Sequence, residues 1–259
     1  MIFIVKKRKK KTGAKKVYSI DPNTKSRTRL SEIKEHMVTK TDMKFLKKIR
    51  RWDFVRHRIM EEISRLELRS KEDHDISAVE GEINMELLLE IISGKDKVGV
   101  FEFLDIYTET KKSLDVIIGI DASGSTASDA SDGYTVLEVE KAFAVIFGEA
   151  LSAFTENVKC LAFDSLTSTT VYRAATLKNI SSVQPGNGNR DGDFIRFVSD
   201  ELKTGTSELK YFFFLSDGQP NSDNYSGKEA MDDTLIALRE ARKSGIRIIY
   251  FNIDSEKRE

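Results

Sequence analysis

The feature of this sequence that most constrains its fold is a regular alternation of apolar runs and amphipathic stretches, which begins at Leu114. The apolar runs are short and rich in β-branched or aromatic residues, a pattern typical of strands buried in a parallel sheet. They cover 115–120, 158–164, 168–174, 209–218 and 246–254. The amphipathic stretches predict helices at 136–155, 193–203 and 228–243. Repeated strand–helix units of this kind predict an α/β fold with a doubly wound, mostly parallel sheet.

One pair of runs must be connected differently. The gap between 158–164 and 168–174 is too short for a crossover, so these runs predict a hairpin and one antiparallel edge strand. A doubly wound domain usually covers its last edge strand with a further helix, and no such stretch follows 246–254 in this sequence. Two explanations stay open: this helix is absent, or the N-terminal extension replaces it.

The part before Leu114 has a different character. Residues 1–30 contain KKRKKKTGAKK and the turn-like DPNTKS, which predict a basic, flexible arm. Residues 31–113 predict a mainly helical region, with helices at 31–68 and at about 82–94. The α/β domain is then expected to cover 114–259, so the chain combines that domain with a helical, basic N-terminal extension.

Charge is distributed unevenly along the chain. Residues 1–60 carry 20 lysines and arginines against 5 acidic residues, a net charge of +15 that the remaining residues balance with −15. In one interpretation this basic segment docks on the acidic body of the same chain. In the other it binds nucleic acid or an acidic partner. Trp52 and Phe54 lie beside the basic run and could stack on bases, but no known RNA-binding motif surrounds them.

Composition restricts the cellular setting. The chain is 39% hydrophobic and 32% charged, and no apolar run approaches the roughly 20 residues that span a bilayer. Only about five apolar residues precede the first charges, too few for the core of a signal peptide. The single cysteine, Cys160, excludes an internal disulfide. We therefore expect a cytoplasmic protein that does not contact a membrane.

Three polar loops carry the candidate chemistry. Asp121, Ser123 and Ser125 follow the strand 115–120 at alternate positions. Ser216-Asp217-Gly218 ends the run 209–218, and a Gly/Asn-rich loop at 185–193 precedes the next helix. Ligands of open parallel sheets bind at the carboxyl ends of the strands, where these loops are expected to meet. Their hydroxyl, amide and carboxylate oxygens suit Mg²⁺ or Mn²⁺.

These residues resemble a known family. The pattern Asp121-x-Ser123-x-Ser125 with a distant Ser216-Asp217-Gly218 resembles the metal-ion-dependent adhesion site of von Willebrand factor A (vWA) domains. The resemblance covers about 114–254 and implies a vWA/Rossmann-like fold. It also implies that the hydroxyls bind the cation and that the carboxylates hold its water ligands.

The loop before the second helix departs from the usual vWA pattern. Many vWA domains have a threonine there, whereas this chain reads Gly188-Asn189-Arg190-Asp191-Gly192, so either Asn189 or Asp191 is the third ligand. The alignment with the usual threonine favours Asn189, and Asp191 would then hold a water or help to start the helix. Such a loop, together with VEGEINMELLLEIISG before the first strand, resembles the vWA subunit of aerobic cobaltochelatase and the nitric oxide reductase activation proteins. That group implies a MoxR-type AAA+ ATPase as partner and a protein client that offers a carboxylate to the cation.

Other chemistries fit the residues less well. Ser123 and Ser125 could merely cap a turn, and Asp164 is interpreted as a turn residue rather than a ligand. A phosphatase nucleophile at Asp121 would need a second carboxylate where Ser123 stands. An acyl-transfer serine would need a histidine base, and the histidines all lie before Leu114, at His36, His57 and His74. We therefore expect a non-catalytic interaction protein, with a nucleic-acid-associated vWA protein and a metal-dependent hydrolase as alternatives.

Overall fold

A computed structural model describes residues 15–19, 29–69, 113–131 and 133–253. The strands in these ranges are β1 (Lys15–Ser19), β2 (Arg29–Val38), β3 (Leu114–Asp121), β4 (Asp129–Ser131), β5 (Tyr134–Thr135), β6 (Val158–Ser165), β7 (Thr169–Ala174), β8 (Leu209–Ser216) and β9 (Arg247–Asn252). The α-helices are α1 (Met43–Ile49), α2 (Asp53–Arg69), α3 (Val136–Leu151), α4 (Asp191–Thr204) and α5 (Gly227–Lys243). The helix expected at 82–94 lies outside the described residues.

The main sheet confirms the predicted fold class. Its strand order is β1-β2-β7-β6-β3-β8-β9, and β6, β3, β8 and β9 form a continuous parallel block with β3 near its centre. The strands β6 and β7 pair antiparallel from Leu161↔Arg173 to Ser165↔Thr169, as the short connection between them required. The small β4–β5 ribbon is a separate sheet. The chain therefore has a doubly wound, vWA/Rossmann-like α/β fold.

The edge of the sheet differs from the prediction. β7 lies inside the sheet, because β2 pairs with it in parallel and β1 pairs with β2 antiparallel. The helix expected at 31–68 was therefore wrong for its first residues, and helix begins only at Met43, where the Asp42 carboxylate caps α1. Ile33 and Met37 are spaced as in a helix, but only Ile33 is buried. Pairing with the free edge of β7 decides the conformation of this segment.

Two hydrophobic layers enclose the sheet. Because side chains alternate along a strand, Val116, Ile118 and Ile120 of β3 face the layer that contains α3, whereas Ile117 faces the layer of α4 and α5. Gly119 points to the α4 side, where a Cβ would lie 2.6 Å from the ring of Phe194. A glycine is thus required at this position for α4 to approach the centre of the sheet.

The N-terminal helices belong to the same core as α3. Phe45, Ile49, Trp52 and Val55 are buried in the hydrophobic cluster that also contains the inward side chains of α3. The Trp52 ring stacks on Tyr134 at a centroid distance of 4.8 Å. The contacts of α2 are with α3, and β1 and β2 lie at the opposite edge of the sheet from β9. Both explanations offered above for the last edge strand therefore stay open. Among the helices of the described residues, none has both the length and the apolarity needed to cross a bilayer.

Candidate metal site

The predicted ligands converge at the carboxyl edge of the parallel block. Asp121 ends β3, and Asp217 directly follows β8. The loop before α4 is tied to them through its backbone, since Gly186 N donates to Ala122 O at 2.6 Å and Asn189 N donates to Asn221 O at 2.8 Å. The structure brings together all the residues that the sequence predicted: Asp121, Ser123, Ser125, Asn189, Asp191 and Asp217.

Asp121 lies at the centre of the site and is fully buried. Its Oδ1 accepts a hydrogen bond from the backbone N of Ser123 at 2.7 Å. Its Oδ2 accepts from Asn189 Nδ2 at 2.8 Å and from the Ser216 hydroxyl at 3.3 Å. Each of these donors is uncharged, so the hydrogen bonds orient the carboxylate without neutralising it.

The hydroxyls form the outer side of the site. Ser123 Oγ and Ser125 Oγ lie 3.0 Å apart, and Ser125 donates to Asp217 Oδ2 at 2.7 Å. Ser123 is buried, whereas Ser125 and its neighbour Gly124 are exposed. The site is therefore accessible to an external ligand from the Ser125 side.

Asp191 has spare coordinating capacity, and Asn189 does not. Asp191 is fully buried; its Oδ2 accepts from the Ser216 hydroxyl at 3.3 Å, and its Oδ1 has no hydrogen-bond partner. The Asn189 side chain, in contrast, donates to Asp121 and accepts from Asn221 N at 2.8 Å. The geometry thus makes Asp191 the better candidate for the third ligand, with Asn189 orienting Asp121. Ser216, which was not among the predicted ligands, bridges the two carboxylates.

The electrostatics of the site favour a bound cation. Burial, and then the charge of Asp217, raise the pKa of Asp121 to about 7. Burial, followed by the charges of Asp121 and Asp217, raises the pKa of Asp191 well above its usual range. Within the described part of the chain, the ion pairs leave all three carboxylates without a Lys or Arg partner. A divalent cation would supply the missing positive charge.

The donor set also restricts the kind of metal. The described residues contain no group of three or more His, Cys, Asp or Glu side chains placed to hold a metal by themselves. A cation here would depend on hydroxyl oxygens as well as carboxylates, a set that suits Mg²⁺ or Mn²⁺. Cys160 is buried in β6, where burial raises the pKa of its thiol, and it contributes nothing to the site.

Residues outside the predicted set hold the loops in place. Asp164 lies within β6 and pairs with Thr170 of β7, so its interpretation as a turn residue was wrong. Its Oδ2 accepts from both the backbone N and the Nδ2 of Asn187, each at 3.0 Å, which is a structural role. A Cβ on Gly186 would collide with the same carboxylate. The close contact of this loop with Asp164 thus holds the segment that leads into α4 in position.

A buried polar network anchors the start of α4. Arg196 binds Asp233 of α5 at 2.7 Å, and Tyr225 donates to the same carboxylate at 2.8 Å. The Tyr225 oxygen in turn accepts from Gly192 N, the residue after Asp191, at 3.3 Å. One feature of the sequence indicates this network: Arg196 is a charged residue on the apolar side of a predicted helix. The sequence does not indicate that its partner is Asp233.

No protein-family model matches the chain. The chain is similar to proteins named NorD. Protein NorD of Stutzerimonas stutzeri is 28% identical over 160 residues, which cover 57% of this chain and 26% of that protein. Protein NorD of Brucella suis biovar 1 is 29% identical over 156 residues, 55% of this chain and 24% of that protein. The chain therefore matches about a quarter of the length of these curated relatives.

Solved structures resemble the chain more distantly. The pilus adhesin SpaC of Lactobacillus rhamnosus GG has a TM-score of 0.43 at 16% identity, over 54% of this chain and 24% of that chain. BatB of Bacteroides thetaiotaomicron has a TM-score of 0.42 at 16% identity, over 53% of this chain and 65% of that chain. With scores this low, the fold is defined by the strand order and connections of the chain itself.

Proposed function

We propose that this chain is a cation-dependent protein-interaction module, a non-catalytic accessory protein of the vWA type. The observation that supports this most strongly is the convergence of two serine hydroxyls with three carboxylates that have no Lys or Arg partner among the described residues. The similarity to proteins named NorD supports an accessory role, as does the resemblance to the nitric oxide reductase activation proteins.

The residues at the site would have two roles toward the cation: some would bind it directly, and others would bind its water ligands. Ser123, Ser125 and Asp191 would hold Mg²⁺ or Mn²⁺, whereas Asp121 and Asp217 would accept hydrogen bonds from its water ligands. When bound, the cation supplies a Lewis-acidic position that an external carboxylate can occupy. Because Ser125 is exposed, an Asp or Glu of a partner can reach that position from solvent.

The proposed partners follow from the resemblance. One is a MoxR-type AAA+ ATPase, and the other is a protein client that offers a carboxylate to the cation. The outcome would be metal insertion, as in cobaltochelatase, or activation of the client. In either case the ATPase would supply the energy from ATP hydrolysis, and this chain would bind the client through the cation.

The alternatives have less support. Trp52 is buried against Tyr134 and is not free to stack on bases, although Phe54 is half exposed. Lys48 pairs with Glu138 at 2.6 Å, so part of the basic segment docks on the body of the chain. Nucleic-acid binding through residues 1–60 would then depend on the basic residues of this segment other than Lys48. For a hydrolase, the described histidines offer no base at the site, since His36 and His57 lie on β2 and α2 rather than on the loops that carry the proposed ligands.

A pull-down tests the proposal. The bait is this chain and the prey is the MoxR-type ATPase of the same genome, with Mg²⁺ or with EDTA. We expect a complex that requires Mg²⁺ and is lost in Asp121→Ala and Asp217→Asn. The control Asp200→Asn, an exposed carboxylate on α4, should bind like the wild type.

A second comparison separates the cation from the basic arm. A chain lacking residues 1–14 keeps β1 and the edge of the sheet but loses KKRKKK. If the complex survives EDTA and disappears with this deletion, the arm is the interface and the proposal is wrong. A nucleic-acid partner would instead show itself as a steep dependence of affinity on salt.

A further inference from the structure

Glu140 is a buried carboxylate that the function described above does not use. It lies in the second turn of α3, its side chain is 0% exposed, and both of its carboxylate oxygens lack a hydrogen-bond partner. An unpartnered buried carboxylate is strongly unfavourable, since burial removes its hydration. An apolar side chain would serve the packing of this helix better, so Glu140 calls for an explanation.

The surroundings of Glu140 do not neutralise it. Val136, Phe143 and Phe147, on the same side of the helix, are all apolar and buried. The adjacent Lys141 is also buried, but its Nζ donates to the backbone oxygens of Ser181 and Val183 at 3.2 Å and 3.1 Å. Lys141 thus serves the segment that follows β7 and not Glu140.

The charges that act on Glu140 are those of the candidate metal site. α3 packs against β3, which ends at Asp121. Burial, and then the charges of Asp121, Asp217 and Asp191, raise the pKa of Glu140 well above its usual range. The same helix also contacts the short turn Gly124–Ala127 that carries Ser125, and the backbone of Asp121 opposes the rise in the pKa of Glu140. Glu140 therefore lies beside the end of β3, on the buried side of the site.

We propose that Glu140 is a positioning residue of the cation site, which accepts a hydrogen bond from a water bound to the cation on the side away from solvent. This inference rests on the proposed cation binding. It gives the orphaned carboxylate the partner that it lacks. Groups that orient the ligands of a metal typically contribute about 10- to 100-fold to its affinity.

The test compares Glu140→Gln with Glu149→Gln, a control on the same helix whose carboxylate pairs with Lys178 at 3.1 Å. Calorimetry with Mg²⁺ and with Mn²⁺ should show at least a tenfold loss of affinity in Glu140→Gln and none in the control. Glu140→Asp should lose less cation affinity than Glu140→Gln only if a water molecule bridges the distance that the shorter side chain leaves. The spectrum of bound Mn²⁺ in electron paramagnetic resonance should also change in Glu140→Gln.

Thermal unfolding in EDTA distinguishes positioning from a structural role. Replacing the unpartnered carboxyl group should leave the Tm of the cation-free protein unchanged or raise it. A lower Tm with unchanged cation affinity would overturn the inference, and the cation site itself would stand. If the wild type binds neither Mg²⁺ nor Mn²⁺, both the inference and the cation-dependent function are wrong.

Discussion

Asp121 is a fully buried carboxylate whose hydrogen-bond donors are all uncharged. Its pKa is about 7, well above the value near 3.8 expected in an unfolded chain. Between pH 3.8 and about pH 7, Asp121 keeps its proton in the native state but has lost it in the unfolded state. The free energy of unfolding must therefore fall as the pH rises through this window.

The direction of this change in the free energy of unfolding gives a prediction about the effect of pH. In EDTA, we expect the Tm to fall between pH 5.5 and pH 8, and to fall less in Asp121→Asn, because the substituted side chain does not ionise. Mg²⁺ should raise the Tm more at pH 8 than at pH 5.5, since protons compete with the cation for the same oxygens. Differential scanning calorimetry measures both effects. A pH profile identical in the wild type and in Asp121→Asn would contradict the prediction.

Asn189 and Asp191 should have separable roles. Asp191→Asn removes a buried charge and a proposed ligand, so it should weaken Mg²⁺ binding at least tenfold without lowering the Tm in EDTA. Asn189→Ala removes one of the three donors to Asp121 and leaves Asn221 N without its side-chain acceptor, which should cost about 1–3 kcal/mol of unfolding free energy in EDTA. Urea unfolding and calorimetry with Mg²⁺ measure the two quantities. If Asn189→Ala lowers only the affinity, the assignments are reversed.

At the scale of elements, the patterns that predicted well are those with many buried positions. β3 and β8 are buried along almost their whole length, and α3 is buried nearly all round, so their apolar runs fixed their type and their bounds to within a few residues. In β2, among the positions whose exposure is described, Ile33 is the one buried side chain. The pairing of β2 with β7 joins residues more than a hundred positions apart, which no local pattern encodes.

The docking of α1 and α2 on α3 can be tested through Trp52. It is 9% exposed and stacked on Tyr134, so Trp52→Ala should cost about 3 kcal/mol of unfolding free energy through lost apolar contacts. Phe54→Ala is the matched control, because that side chain is 50% exposed and its loss should cost about 0.5 kcal/mol or less. Urea unfolding monitored by circular dichroism provides both values. Equal effects would mean that Trp52 is not part of the core.

At the scale of the whole molecule, the site is assembled from residues that are about a hundred positions apart. Sequence reasoning found Asp121 and Asp217 because the predicted strands place their following loops at one edge of the sheet. It missed Glu140, and it missed the pairing of Arg196 with Asp233. Those residues act through contacts between helices and the sheet, and a charged residue inside an apolar helix pattern does not indicate which neighbour it meets.

Ion pairs connect the N-terminal elements with the rest of the chain. Arg173 of β7 binds both Glu35 of β2, at 3.0 Å, and Glu201 of α4, at 2.6 Å. Lys48 of α1 binds Glu138 of α3. Lys48–Glu138 is a partly exposed pair, which contributes little to stability but has the sign that docking of the basic segment on the acidic body requires. Arg173–Glu35 has the opposite arrangement, because its basic residue belongs to the body and its acidic residue to the N-terminal segment.

Trp52 is the only tryptophan of the chain, and the guanidinium of Arg51 lies 5.0 Å from its ring. The protein thus carries a single tryptophan fluorophore, located where the N-terminal helices meet the vWA-like body. Undocking of those helices would shift its emission to longer wavelength and reduce energy transfer from Tyr134. Any partner or cation that changes this docking can therefore be followed optically in the unlabelled protein, in real time and at low concentration.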